Sequence, residues 1–336
     1  MVTVKDNWFY TSSKGKELAH AFCENIPEDV RKHYIDAICK GKLSEEDIKV
    51  LRPIGINQLK KGTSEWHYLN TLMIQPDING STLRRESIKL FLEAISTKCA
   101  INDFPKLQYE QYTANGLEAQ FGWHYYYLCE TIHYCIESIF WLILETAGEN
   151  NYLAINRFID IATKKILEAN NNDISTYTIE SVSPLITNYN IPIMLDELVD
   201  KTQTNQPAEA ALKALLLLIK CYDTIIPQKE KFEAFEKRTH LSILLGNISQ
   251  TLECYIGINR KLPIKKAIAN IITTIMNQHT IVACRKMGNS TLDLRKFLIE
   301  DGCIFLVEIR KPQFTNPRIQ TLYNFLTNLH YLRVGQ

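Results

Sequence analysis

Two Glu-x-x-His pairs, Glu17/His20 and Glu130/His133, put a carboxylate and an imidazole one helical turn apart. Helical bundles present that spacing to a pair of metal ions, but a complete site also draws one glutamate from each of two further helices. The first of those helices would precede Glu17, where only 16 residues stand. No metal and no cofactor is therefore expected, and Glu130 with His133 is the weaker alternative. His124 and His133, nine residues apart, do not share a helical face. The nine cysteines, at 23, 39, 99, 129, 135, 221, 254, 284 and 303, are scattered and form no Cys-x-x-Cys pair, so they read as small apolar residues in a reducing cytoplasm. Ser13-Lys14-Gly15-Lys16 lacks the leading glycine of a phosphate loop, and no Gly-x-Ser-x-Gly elbow occurs. No catalytic residue is assigned.

The other chemistry in the sequence is cationic. From Gly257 to the end there are twelve lysines and arginines against four acidic residues, a surplus of eight, so the preceding 256 residues carry −7 of the net +1. Such asymmetry suits an anionic partner. Three adjacent pairs stand out: Arg285 and Lys286, Arg295 and Lys296, Arg310 and Lys311.

These residues need elements to hold them. The densest apolar stretch is GWHYYYLCETIHYCIESIFWLILETA, Gly122 to Ala147. Its length suits a membrane span, but Glu130, Glu137, Glu145, His124 and His133 are spread through it, and each ionisable group at bilayer depth costs several kcal/mol. No membrane partner is expected. As a helix it sets Glu130, His133, Tyr134 and Glu137 on one stripe and covers most of the remaining circumference with apolar side chains. It reads as the central spoke of a helical domain. Four tyrosines within it require polar partners from neighbouring helices.

Around it, capping residues and helical periodicity predict short helices at about 28 to 40, 44 to 51 (opened by Ser44 with Asp47), after Thr63, and after Ser81 or Thr82. Asn170 to Asp173 mark a loop and a possible internal boundary, and 174 to 200 are open between short helices and extended pieces. Pro207 begins AEAALKALLLLIKCYD, the strongest helix former in the chain. Residues 264 to 287 are helical in period, with a possible break near Gln278-His279. TLDLRKFLIE, Asp301-Gly302 and CIFLVEI then predict a hairpin over 291–309. In that register Glu300 faces Cys303, Ile299 faces Ile304, Phe297 faces Leu306 and Arg295 faces Glu308.

Helices from about 239 to 288 followed by a tight hairpin resemble the order of a winged helix. That resemblance implies a helix entering the major groove, with wing and flanking cations on phosphates. The reading is thus a mainly α protein: a multi-helix domain over 1–256 and a basic, winged-helix-like α+β module over 257–336 whose leading helix starts near 239. The function it favours is a non-catalytic scaffold or adaptor subunit. It would dock protein subunits and contact DNA, RNA or an acidic partner through Arg285, Lys286, Arg295, Lys296, Arg310 and Lys311. The alternative is a helical enzyme with a polar site along the Tyr/His/Glu seam of 122–147. Elemental analysis of the purified protein should find no stoichiometric iron, manganese or zinc; one or two ions per chain, lost on His133→Ala, would overturn the non-metal reading.

Overall fold

The structure, a computed structural model, describes residues 2–5, 8–55, 59–75, 82–113, 116–169, 176–239, 247–287, 294–314 and 317–331. Strands β1 (Val2–Lys5) and β2 (Trp8–Thr11) form an antiparallel pair ahead of helices α1 (Ser13–Glu24), α2 (Glu28–Lys40), α3 (Glu45–Val50), α4 (Ser64–Ile74), α5 (Leu83–Ser96) and α6 (Phe104–Gln111). Helix α7 (Glu118–Glu149) is the longest. After it come β3 (Leu153–Ala154), α8 (Ile155–Glu168), α9 (Ile179–Val182), α10 (Ile191–Gln203), α11 (Pro207–Ile225), α12 (Lys229–Thr239), α13 (Ile248–Tyr255) and α14 (Ile264–Met287). Strands β4 (Phe297–Glu300) and β5 (Cys303–Leu306) and helix α15 (Pro317–Asn328) complete the order. The protein is mainly α with a small antiparallel sheet near its C-terminal end.

The chain divides into two compact units, Met1–His124 with Asn316–Gln336, and Tyr125–Thr315. In the first, the predicted caps Ser44 and Thr63 set their helix starts, whereas Thr82 at the head of α5 makes no side-chain cap bond. Ser44 and Asp47 form a reciprocal capping box on α3, and the Ser44 hydroxyl and backbone N–H hold the Asp47 carboxyl down to about 2. The Thr63 hydroxyl accepts from the Trp66 N–H at the head of α4. Phe91, Phe104 and Trp123 pack edge to face in series, with centroids 4.9 and 4.8 Å apart, and Tyr109 stacks on His124 at 4.6 Å. Trp66 Nε1 donates to the Leu329 carbonyl at 3.1 Å, which ties the segment after α15 to α4.

In the second unit α7, from Tyr125 onward, is the central helix expected from the sequence. Tyr125 lies against Phe232 and Phe235 of α12, and Tyr134 meets Phe314. At its far end Gly148 admits close approach: a Cβ there would come within 3.2 Å of Leu306 and 3.5 Å of Ile309. Trp141, Leu142, Ile143 and Leu144 are all buried. By length and composition α7 could cross a membrane, yet 72% of its most apolar window is buried inside the protein itself. Helix α11 pairs with α10 and also packs on α8 and α13, while α8 lies on α14.

The hairpin has the predicted register, Phe297 with Leu306, Ile299 with Ile304 and Glu300 with Cys303. Asp301 and Gly302 take φ of 49° and 72°, the two left-handed positions that this tight turn demands. Below Phe297 the ladder bulges. Both Val307 and Glu308 donate to the Lys296 carbonyl, so the ion pair of Glu308 is made with Lys296 in place of Arg295. Strand β3 adds to the free edge of β5 through Leu153 and Ala154, giving the order β3-β5-β4. The hairpin and α14 thus belong to the same unit as residues 125–256, and α15 belongs to the other, so the stretch 257–336 is not a unit of its own.

The helix does not begin at Gly122, where the apolar stretch starts: α7 starts at Glu118 and runs through the glycine, because a single glycine costs only about 1 kcal/mol inside a long helix. Helix α14 is unbroken at Gln278-His279, and the stretch 174 to 200, left open from the sequence, holds the helices α9 and α10 with a 3-10 turn at Ser183–Ile186 between them, while Thr178 makes an isolated antiparallel bridge to Pro263. The loop at 170–173, and with it the possible internal boundary, lies outside the described residues.

Trp141 is fully buried, donates from Nε1 to Glu145 Oε1 at 2.7 Å, and carries the Lys311 ammonium over its ring at 5.3 Å. Its neighbour Phe140 is only half-buried. Trp141→Ala should cost roughly 3–5 kcal/mol, read as a large drop in melting temperature, and Phe140→Ala distinctly less. Equal, small losses would show that α7 is not the core.

Candidate anion-binding site

One stripe of α7 faces an open cleft. His133, Ile136, Glu137 and Phe140, at i, i+3, i+4 and i+7, line a cleft of about 540 Å³. The opposing wall comes from one face of α14, where Ile275, Gln278, His279, Val282, Ala283 and Lys286 follow the same helical period. Tyr255 at the end of α13 contributes to the wall. Leu294 and Lys296, leading into β4, and Arg310 and Pro312, leaving β5, complete it. Tertiary packing therefore joins the His/Glu seam of α7 to three of the basic residues singled out in the sequence.

His279 is held most tightly. The Lys296 N–H donates to its Nε2 at 3.0 Å, which places the ring proton on Nδ1, and its ring lies 4.6 Å from that of Phe140 and 5.4 Å from that of Phe297. Burial, and then the charges of Lys296 and Arg310, push its pKa below the ordinary value, so the imidazole is neutral at pH 7. The Tyr255 hydroxyl donates to Gln278 Oε1, and burial raises the phenol's pKa, so it remains a donor. The amide N–H groups of Gln278 make no hydrogen bond among the described residues.

The cations differ in how far they are committed. Lys296 pairs with Glu308, whose carboxyl is held low by that contact. Arg310 Nη2 stands 4.0 Å from Glu137 Oε1, which also lies 3.6 Å from His133 Nε2. Lys286 makes no ion pair among the described residues. The lining residues thus bring three cations against one carboxylate. Of the remaining predicted residues, Arg285 is exposed at the end of α14 and Arg295 is half-exposed before β4. Lys311 is drawn off to the Trp141 ring and to Asn205 Oδ1 at 3.4 Å.

The two Glu-x-x-His pairs fall in different units, Glu17 with His20 in the first and Glu130 with His133 in the second. Glu17 accepts from the Tyr68 hydroxyl at 2.9 Å, while His133 lies beside Glu137 and Glu130 is half-exposed. Among the described residues no three His, Cys, Asp or Glu side chains are placed to share a metal. Cys135 and Cys221 are fully buried, and burial lifts the Cys221 thiol to about 12 and the Cys135 thiol well above its ordinary value, so both stay protonated. Among the described residues, the lining includes no serine, threonine or cysteine.

Sequence reasoning passed over Phe140, Gln278 and His279. The signal for the last two was a polar interruption of the α14 stripe that Ile264, Ile268, Ile271 and Ile275 otherwise keep apolar. No family model, no curated protein and no solved structure matches the chain.

Because the folded protein holds His279 below its unfolded value, the neutral ring favours folding, and that contribution is present above the ordinary histidine pKa and lost as pH falls beneath it. An NMR titration should place His279 below the ordinary histidine value, and Arg310→Ala should raise it. An unshifted His279 would contradict the packing described.

Proposed function

We propose that this protein is a non-catalytic, cytoplasmic adaptor whose second unit binds nucleic acid through the cationic cleft. The observation that carries the reading is the convergence of Lys286, Lys296 and Arg310 on one concave surface, with Arg285 one residue from Lys286 on the exposed end of α14. A phosphate chain gains affinity when several cations displace its counterions together, which scattered surface lysines do not achieve. The adaptor half of the reading is supported by the first unit, where Tyr34, Ile35 and Ile38 of α2, with Leu43 and Ile48 nearby in the chain, are exposed apolar side chains suited to a protein partner. None of the nine cysteines forms a disulfide, and Cys23, Cys39 and Cys284 are exposed, which supports a reducing compartment.

Contacts of this kind position a phosphate backbone and read no base edges, so binding should fall steeply with salt and show little preference for sequence. Anisotropy titrations of the full chain, repeated across salt, should show this. The variant Arg285→Ala/Lys286→Ala/Arg310→Ala should flatten the slope of log affinity against log salt by about 2 to 3. Equal binding by the folded variant, or none by the unmodified protein at low salt, would sink the reading.

A further inference from the structure

We infer that the cleft receives one unstacked nucleotide, its base lodged against Phe140 and its phosphate held by Lys286 and Arg310. The inference rests on the nucleic-acid reading above and narrows it. A cavity of about 540 Å³ has the size of a small-molecule site and far exceeds what a phosphate alone requires. Its chemistry is divided in the way a nucleotide is. Phe140, with Ile136 and Ile275, offers an aromatic and aliphatic wall, and the cations stand with it in the same cleft. A bare anion has no use for that wall. A fatty chain would use it, but would leave the Gln278 amide N–H groups and His279 Nδ1–H facing hydrocarbon without partners, and a buried donor left unpaired is costly.

A base satisfies both, since it has a flat π face for Phe140 and ring nitrogens and carbonyls that accept from those donors. His279 is suited to this role because the Lys296 N–H fixes its tautomer, leaving Nδ1–H as a donor with no hydrogen bond among the described residues. A duplex keeps its bases stacked and cannot deliver one. The ligand chemistry, a phosphate beside a free base, can come from single-stranded nucleic acid or from a free nucleotide.

The test uses the full chain with four probes: AMP, inorganic phosphate, a single-stranded oligonucleotide carrying 2-aminopurine, and its duplex. Two variants keep every charge. Val282→Trp adds bulk at an exposed position on the cleft wall, and Phe140→Leu removes the aromatic face while keeping an apolar side chain. Melting curves establish that both are folded.

The expected result is that AMP binds at least tenfold more tightly than phosphate, and that 2-aminopurine fluorescence is quenched on binding. Val282→Trp should weaken single-strand binding roughly tenfold, in line with the loss of one stacked base, and weaken duplex binding distinctly less. Phe140→Leu should act in the same direction. Single strand and duplex bound alike, with both variants unaffected, would overturn base lodging and leave the polyanion reading standing. AMP bound in the cleft with neither polymer bound would uphold the nucleotide site, identify a free nucleotide as its source, and end the nucleic-acid reading. No binding of any probe overturns both.

Discussion

A helix that is apolar around nearly all of its circumference has to be surrounded, and the second unit is arranged to surround α7. Its polar groups set the terms. The Thr131 and Ser138 hydroxyls donate back to the carbonyls of Tyr127 and Tyr134, each at 2.8 Å, so the helix satisfies them internally. Tyr125 cannot do this, and its hydroxyl donates to Glu236 Oε1 at 2.8 Å. That same oxygen accepts the Ile248 N–H at 3.1 Å, at the start of α13. One carboxyl thereby links α7, α12 and α13. Glu236 is almost wholly buried, its Oε2 has no partner among the described residues, and burial raises its pKa. The link is retained at a cost in desolvation that the Tyr125 and Ile248 hydrogen bonds offset in part.

The cleft follows from the one stripe of α7 that is not apolar. His133 and Glu137 keep a helix from packing directly over them, because covering an imidazole and a carboxylate without partners costs more than leaving them wet. Helix α14 closes against the neighbouring part of the stripe through Phe140 and His279, and chain on either side of the hairpin brings Lys296 and Arg310 to the rim. Burial, and then the charges of Lys296 and Arg310, keep His279 neutral, so the aromatic wall has no charge of its own while its surroundings are positive. An apolar surface beside cations is the combination that a nucleotide recognises.

The hairpin shows how local and distant information divide. Its turn, register and strand ends depend on residues within about ten positions of one another, and alternation with an Asp-Gly turn specified them. The third strand, Leu153–Ala154, lies some 150 residues away and carries no strand signal of its own. It is recruited because β5 would otherwise expose an unpaired edge. The same contrast separates Lys296 from Arg295: only the bulge after Leu306 decides which of them meets Glu308.

The sequence by itself determined that the protein is mainly α, that residues near 122 to 147 form its central helix, where α3, α4 and α11 begin, and that one hairpin follows the last long core helix. Each rests on periodicity, capping or turn chemistry within a short window. It also marked the basic pairs as a group, since charge is countable without a fold. Only the tertiary structure decided that Lys286, Lys296 and Arg310 converge while Lys311 turns to Trp141, that Phe140 and His279 share a wall, and that residues 257 onward divide between two units. Those outcomes depend on which helix faces meet, a choice set by burial summed over the whole chain and by the need to pair every enclosed polar group, and no local spacing encodes it.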